Sequence, residues 1–180
     1  MTADRGLAVI AAAAILVASC GGGEPYFQQP SEMGVGLPAG VGEMQYIGVA
    51  WLISRSEEDD VRLLSAEPIE PDLGPADLTW LALRLEDGDG GIGAVDETDG
   101  HVRHLVPLAG AIVPFGPWEY PTVATQVVVG ILSEEPAIVR FGSVRVRFTV
   151  NGSLKSQDFP MTIAVCVAQP RPLDCDAATI

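Results

Sequence analysis

The stretch from Arg140 to Val167 constrains this chain more than any other. Val144, Val146, Phe148 and Val150 alternate with Arg145, Arg147 and Thr149, which is the period-2 signature of a strand buried on one face. Asn151-Gly152 follows, and both residue types tolerate the positive φ of a tight reversal. A second β-rich run, Phe159 to Val167, then returns. We read these as the two central strands of a β-sandwich onto which the upstream chain packs. One conflict stands in the pattern. A strict two-residue turn sets Val150, Phe148 and Val146 opposite Ser153, Lys155 and Gln157, mixing polar and apolar side chains on one face. A bulge, or a wider loop through Asp158, is therefore expected in place of a perfect hairpin.

Upstream, apolar runs alternate with turn-formers. The pattern predicts strands at 45–54, 61–66, 78–85, 102–107, 110–114, 122–132, 138–150 and 159–168. Between them lie Glu57-Glu58-Asp59-Asp60, the Pro68/Pro71/Pro75 stretch, the loop from Asp87 to Gly100, Gly116-Pro117 and Glu134-Glu135-Pro136. Short strands spaced by such signals, without a helical stripe, predict an all-β fold. The expectation is a single antiparallel β-sandwich, immunoglobulin-like first and jelly roll second. The expected core is Ile47, Val49, Trp51, Leu63, Leu81, Leu83, Leu85, Leu105, Val127, Val129, Val144, Val146, Phe148, Ile163 and Val165. Trp80 shares its face with Ala82 and Arg84, opposite the three leucines, and receives no place.

The first residues read as export machinery. Arg5 precedes an apolar run from Gly6 to Ala18, short for a membrane span. It ends Leu16-Val17-Ala18-Ser19-Cys20, with glycines after. This resembles the lipobox of bacterial lipoprotein signal peptides. The resemblance covers the first twenty residues and implies cleavage before Cys20, a diacylglyceride thioether on Cys20 and an acylated amino terminus (palmitate among the acyl groups). It also implies a cell-envelope protein anchored by lipid on the extracytoplasmic side of its membrane, since more than one acyl chain makes anchoring stable. Gly21, rather than the retention aspartate, follows the cysteine, which implies the outer membrane in a two-membrane envelope. The domain plan expected is a signal peptide over 1–19, a Gly/Pro tether over 20–43 and the sandwich over 44–180. Gly21 to Gly23, Pro25, Pro30, Gly34, Gly36, Pro38, Gly40 and Gly42 punctuate the tether. As a flexible coil it spans roughly 25 Å root-mean-square.

The formal charge is −14, and it stays there when Asp4 and Arg5 leave with the signal peptide. Such a balance argues against nucleic acid and anionic headgroups, both of which call for basic patches. Gly88 to Gly93 spells G-x-G-x-x-G, but no helix follows to face a pyrophosphate, and Asp87 and Asp89 repel phosphate. No nucleotide is expected. The same loop offers calcium ligands in Asp87, Asp89, Asp96 and Asp99. Gly91 and Thr98 break the EF-hand spacing, so a solvated acidic loop is the reading and a calcium-stabilised domain the alternative. His101 and His104 point to opposite faces of the expected strand, so no zinc site is expected. No nucleophile elbow or metalloprotease signature is present in the sequence; a non-enzymatic module is expected, with a hydrolase of unfamiliar pattern as a further alternative.

Phe115, Trp118 and Tyr120 lie among Pro114, Pro117 and Pro121, a stiff aromatic loop suited to a glycan or an envelope protein. The opposing reading folds these rings over the open end of the sandwich. Lipidation consumes Cys20, leaving two thiols in a compartment where disulfides persist. A Cys166–Cys175 bond is therefore expected.

Overall fold

The computed structural model describes residues 25–27, 33–86, 91–117, 123–171 and 175. They build two packed sheets. The strands are β1 (Met33–Gly40), β2 (Gln45–Leu52), β3 (Val61–Ile69), β4 (Asp77–Leu85), β5 (Ala94–Asp96), β6 (Val106–Pro107), β7 (Ala124–Leu132), β8 (Ala137–Val150) and β9 (Ser153–Ala168). One sheet runs β1-β9-β8-β3 and the other β5-β2-β7-β4-β6. In immunoglobulin lettering, β3, β8 and β9 occupy C, F and G, and β2, β7 and β4 occupy B, E and D. The fold is thus the expected β-sandwich, with one departure: β1 pairs parallel with β9, from Met33↔Met161 to Gly40↔Ala168, so the sandwich is not wholly antiparallel.

The core lies between the sheets. Val144, Val146, Phe148, Phe159, Ile163 and Val165 meet Ile47, Val49, Leu52, Val127, Val129 and Ile131 in one buried cluster. β7 is buried on both faces, as its near-continuous apolar run requires. Its second face belongs to a smaller cluster of Ile53, Leu83, Leu85, Ile92, Ala124 and Val128, against which Leu81 and Leu105 are half-buried. Leu81, Leu83 and Leu85 of β4 therefore face this outer cluster, while Leu78, Trp80 and Ala82 face the inter-sheet core.

Several expectations are corrected. Trp51 is 42% exposed, because a bulge between Gly48 and Ala50 reverses the inward phase of β2. The strand expected at 102–107 is a 3₁₀ turn, Gly100–His104, followed by the two-residue β6. Asp99 caps it by accepting a hydrogen bond from the His101 N–H, a local device that outweighs the β preference of Val102. The segment at 110–114 donates and accepts along the edge of β3 (Leu63 N–H to Ala111 O, Val113 N–H to Val61 O). It forms a single bridge there, Arg62↔Ile112, as Gly110 sits at φ 87°.

The largest corrections concern the hairpin and the tether. Asn151 and Gly152 both have positive φ, 51° and 79°, and the turn is the strict two-residue one, with Phe148↔Lys155 and Val146↔Gln157. The bulge of β8 lies at the other end, between Phe141 and Ser143. What relieves the mixed face is chain that the sequence reading assigned to the tether. Phe27 is fully buried, its ring 4.6 Å from Phe148 and 6.3 Å from Phe159. The Gln157 side chain holds the Phe27 backbone from both sides: its Oε1 accepts from the Phe27 N–H at 2.8 Å, and its Nε2 donates to the Phe27 carbonyl at 2.9 Å. The domain thus includes Pro25–Phe27 and 33–40, well before the boundary expected at residue 44.

A second glutamine repeats the device. Gln126 on β7 accepts from the Ile92 N–H at 2.8 Å and donates to the Ile92 carbonyl at 2.6 Å. This pins the segment after the acidic loop onto the outer cluster. Gly48 makes room for it, since a Cβ there would stand 2.1 Å from both Gln126 Nε2 and the Ile92 carbonyl. At the far end, Cys166 and Cys175 form the expected disulfide, Cα–Cα 5.6 Å, across nine positions. It holds Cys175, itself buried, against β9, with Sγ 3.7 Å from the Ala164 carbonyl. The chain-entropy model gives such a bond roughly 2.5–3 kcal/mol.

The clamp on Phe27 yields a paired expectation. Phe27→Ala should cost ~3–5 kcal/mol, as truncation of a buried phenylalanine does. Gln157→Leu should cost about 1–3 kcal/mol for each backbone group left unpaired. Chemical denaturation of both variants and the double mutant checks this. The effects should be strongly non-additive, and simple additivity would show that Gln157 does not act through Phe27.

Candidate functional site

The described N-terminal residues end at one pole of the sandwich, where β2 ends, β3 begins and β8 turns into β9. Tyr26 organises it. Its hydroxyl donates to Asp59 Oδ2 at 2.6 Å and lies 3.1 Å from Ser54 Oγ. Its ring meets Phe27 edge-on at 5.0 Å and Phe148 at 5.6 Å. The Arg55 guanidinium and the Lys155 ammonium stand 5.8 and 5.4 Å from its centroid, within cation–π range. Burial, then the bond to Asp59, pushes the phenol above its ordinary pKa. Arg55 also donates to the carbonyls of Pro25 and Tyr26, which fixes the path by which the chain enters the domain.

The β8–β9 turn is tied to the same loop. Asn151 Oδ1 accepts from the Asp60 N–H at 2.8 Å, Nδ2 donates to Asp59 Oδ1 at 2.9 Å, and the Asn151 N–H donates to the Asp60 carbonyl. The sole asparagine of the chain is thus spent on structure. Ser54, fully buried, joins this pole to the expected aromatic loop: its N–H donates to the Pro114 carbonyl at 2.7 Å, and it bridges Phe115 in parallel. Phe115 itself is 49% exposed. Trp118 and Tyr120 lie outside the described residues.

The other expected sites fall as follows. Cys20, Asp87 and Asp89 lie outside the described residues. Asp96 accepts from the Thr98 hydroxyl and N–H, and those bonds, the hydroxyl first, hold its carboxyl below the usual range. Asp99 accepts from the His101 N–H and lies 2.9 Å from His101 Nδ1, with its pKa lowered first by the backbone bond. Both carboxylates are thus engaged as loop caps. Among the described residues no cluster of three metal-ligating side chains occurs. His101 and His104 share one side of the 3₁₀ turn, because residues three apart eclipse there; the expectation of opposite faces is corrected.

Both histidines line a cleft of about 580 Å³ with Leu83, Arg84, Leu85, Glu86, Gly100 and Arg103. Two arginines and both histidines gather there in an otherwise acidic chain, above a floor of buried Leu83 and Leu85. Sequence reasoning missed this cleft, since residues on β4 and on the turn meet only in space. It also missed Tyr26, Phe27, Arg55 and Gln157, although two adjacent aromatics within a Gly/Pro stretch were a visible signal.

No family model matches this chain, and no curated protein matches it in sequence. Among the described residues no helix is long and apolar enough to cross a membrane.

The Asn151 bridge makes a charge-sensitive joint. Asn151→Gly keeps the turn but removes the side-chain bonds, and Asn151→Asp sets a carboxylate against Asp59; each should cost on the order of 1 kcal/mol at neutral pH. Protonation relieves repulsion in the second variant alone. Its deficit should therefore shrink, relative to Asn151→Gly, as pH falls through the carboxylate range. Parallel denaturation curves against pH check this.

Proposed function

We propose that this protein is a lipid-anchored module of a bacterial cell envelope, non-enzymatic, whose immunoglobulin-like domain binds an envelope protein or a glycan on the extracytoplasmic side. The observation that carries the reading is the Leu16–Cys20 lipobox. The Cys166–Cys175 disulfide supports it, because such bonds persist in oxidising compartments outside the cytoplasm. The glycine after Cys20 favours the outer membrane where two membranes exist. Net charge of −14 speaks against a nucleic-acid partner.

The partner-facing surface best suited to recognition is the cleft over β4. Arg84, Arg103 and His104 outnumber the Glu86 carboxylate in its lining, with His101 already paired to Asp99, and favour a carboxylate or similar anionic group on the partner, with apolar contact from the leucine floor.

The anchor is directly testable. Mature protein should partition into the detergent phase and carry acyl mass on its first residue. Cys20→Ala should block both processing and acylation. Intact-mass measurement of membrane-extracted protein decides it: a Cys20→Ala chain that still bears lipid would overturn the reading.

A further inference from the structure

We propose that the pole bearing Tyr26, the β2–β3 loop and Phe115 rests on the bilayer that holds the anchor, with Phe115 as an interfacial contact. This rests on the lipid-anchored reading and adds to it an orientation and a second membrane contact.

Chain length limits where the domain can sit. Pro25 follows Cys20 by five positions, and five residues reach at most about 18 Å in any conformation. The tether expected from sequence ran to residue 43; the docking of Pro25–Phe27 removes most of it. β8 alone, with 14 residues, is roughly 46 Å long. The leash is therefore much shorter than the domain, and it leaves from one end. Arg55, bonded to the carbonyls of Pro25 and Tyr26, fixes where the leash departs.

What stands at that end fits a bilayer surface. Phe115 is 49% exposed on a segment stiffened by Pro114 and Pro117, and its backbone is fastened through Ser54 to Tyr26. An exposed phenylalanine on a rigid support is an apolar ring that can bury itself at the headgroup–acyl boundary. Ile112, 51% exposed, lies on the same segment. Glu57 and Glu58 are exposed nearby, so the surface that fits is one of neutral rather than anionic headgroups. The opposite pole, with Glu43, Glu134 and Glu135 exposed, then faces away.

The test uses mature full-length chain, its acyl mass first verified, in phosphatidylcholine nanodiscs containing a nitroxide-headgroup lipid. Amide signals of Ser56, Phe115 and Asn151 should lose most of their intensity to paramagnetic broadening, while those of Gly42 and Glu134 keep theirs. In Phe115→Asp, broadening at Ile112 and at position 115 should fall at least twofold while the sheets remain unperturbed. Broadening centred on Gly42 and Glu134, or equal at both poles, would overturn the orientation; a Phe115→Asp chain broadened like wild type would overturn the Phe115 contact. If no acyl mass is found, the anchor reading is what fails. The orientation is then tested by coupling the Cys20 thiol to a maleimide lipid in the same nanodiscs, with the same outcomes decisive.

Discussion

Two glutamine side chains, each holding the backbone of a residue outside the principal sheets, are the joints on which this structure depends. A carboxamide carries an acceptor oxygen and a donor nitrogen side by side on one carbon, so it can pair a backbone N–H and C=O as a neighbouring strand would. Gln157 does this for Phe27 and Gln126 for Ile92. In each case the held residue buries an apolar side chain, Phe27 at 0% and Ile92 at 2% exposure. The pairing matters because buried backbone groups left unsatisfied would cancel much of what that burial contributes. A β-sandwich with strands of mixed polarity is completed in this way by peripheral chain.

The consequence of the first clamp is architectural. Ser153, Lys155 and Gln157 follow the turn on the face where Phe148 needs cover. Tyr26 and Phe27 supply that cover, Lys155 sits over the Tyr26 ring, and Gln157 secures the backbone beneath. Farther along β9, where the side chains become apolar, β1 pairs in parallel. The N-terminal chain thus follows the C-F-G side of the sandwich and brings its entry point to the pole formed by the β2–β3 loop and the β8–β9 turn. In antibody variable domains the equivalent pole carries the binding loops. Here it is closed by the Asp59, Asp60 and Asn151 bonds and by the entering chain.

The consequence of the second clamp is a built outer face. The long connection from β4 to β7 returns over the five-stranded sheet, where Ile92 and Leu105 cover Leu83 and Leu85. This layer gives the 3₁₀ turn its support and places His101, Arg103 and His104 beside Arg84. The other sheet stays solvated on its outer face, where Arg145 pairs with Asp158 and Arg147 with Glu67. Both pairs are half-exposed and contribute little to stability. Arg145 nevertheless holds the Asp158 carboxyl below its usual range, so that contribution is present at neutral pH and fades only as pH falls through the lowered value.

Local pattern alone determined the all-β fold class, the paired strands around Asn151-Gly152 and the alternating centre of the inter-sheet core, and the count of cysteines pointed to the disulfide. Each is written in neighbouring residues or in the simple arithmetic of cysteines: alternation, turn chemistry, pairing. The tertiary structure decided what those rules leave open. A single bulge at Gly48 and Ala50 turned Trp51 outward, because strand phase flips with one inserted residue. The perfect hairpin became tolerable only once Phe27, distant in sequence, covered its polar arm. The stretch from Met33 to Gly40, where Val35, Leu37 and Ala39 alternate with Gly34, Gly36 and Pro38 but glycine and proline disfavour an isolated strand, became a strand because β9 offered a free edge with unpaired backbone groups. Long-range hydrogen bonding of this kind carries no local signature, and for that reason the docking of Pro25–Phe27, the pole at which that segment enters and the cleft over β4 were set by packing alone.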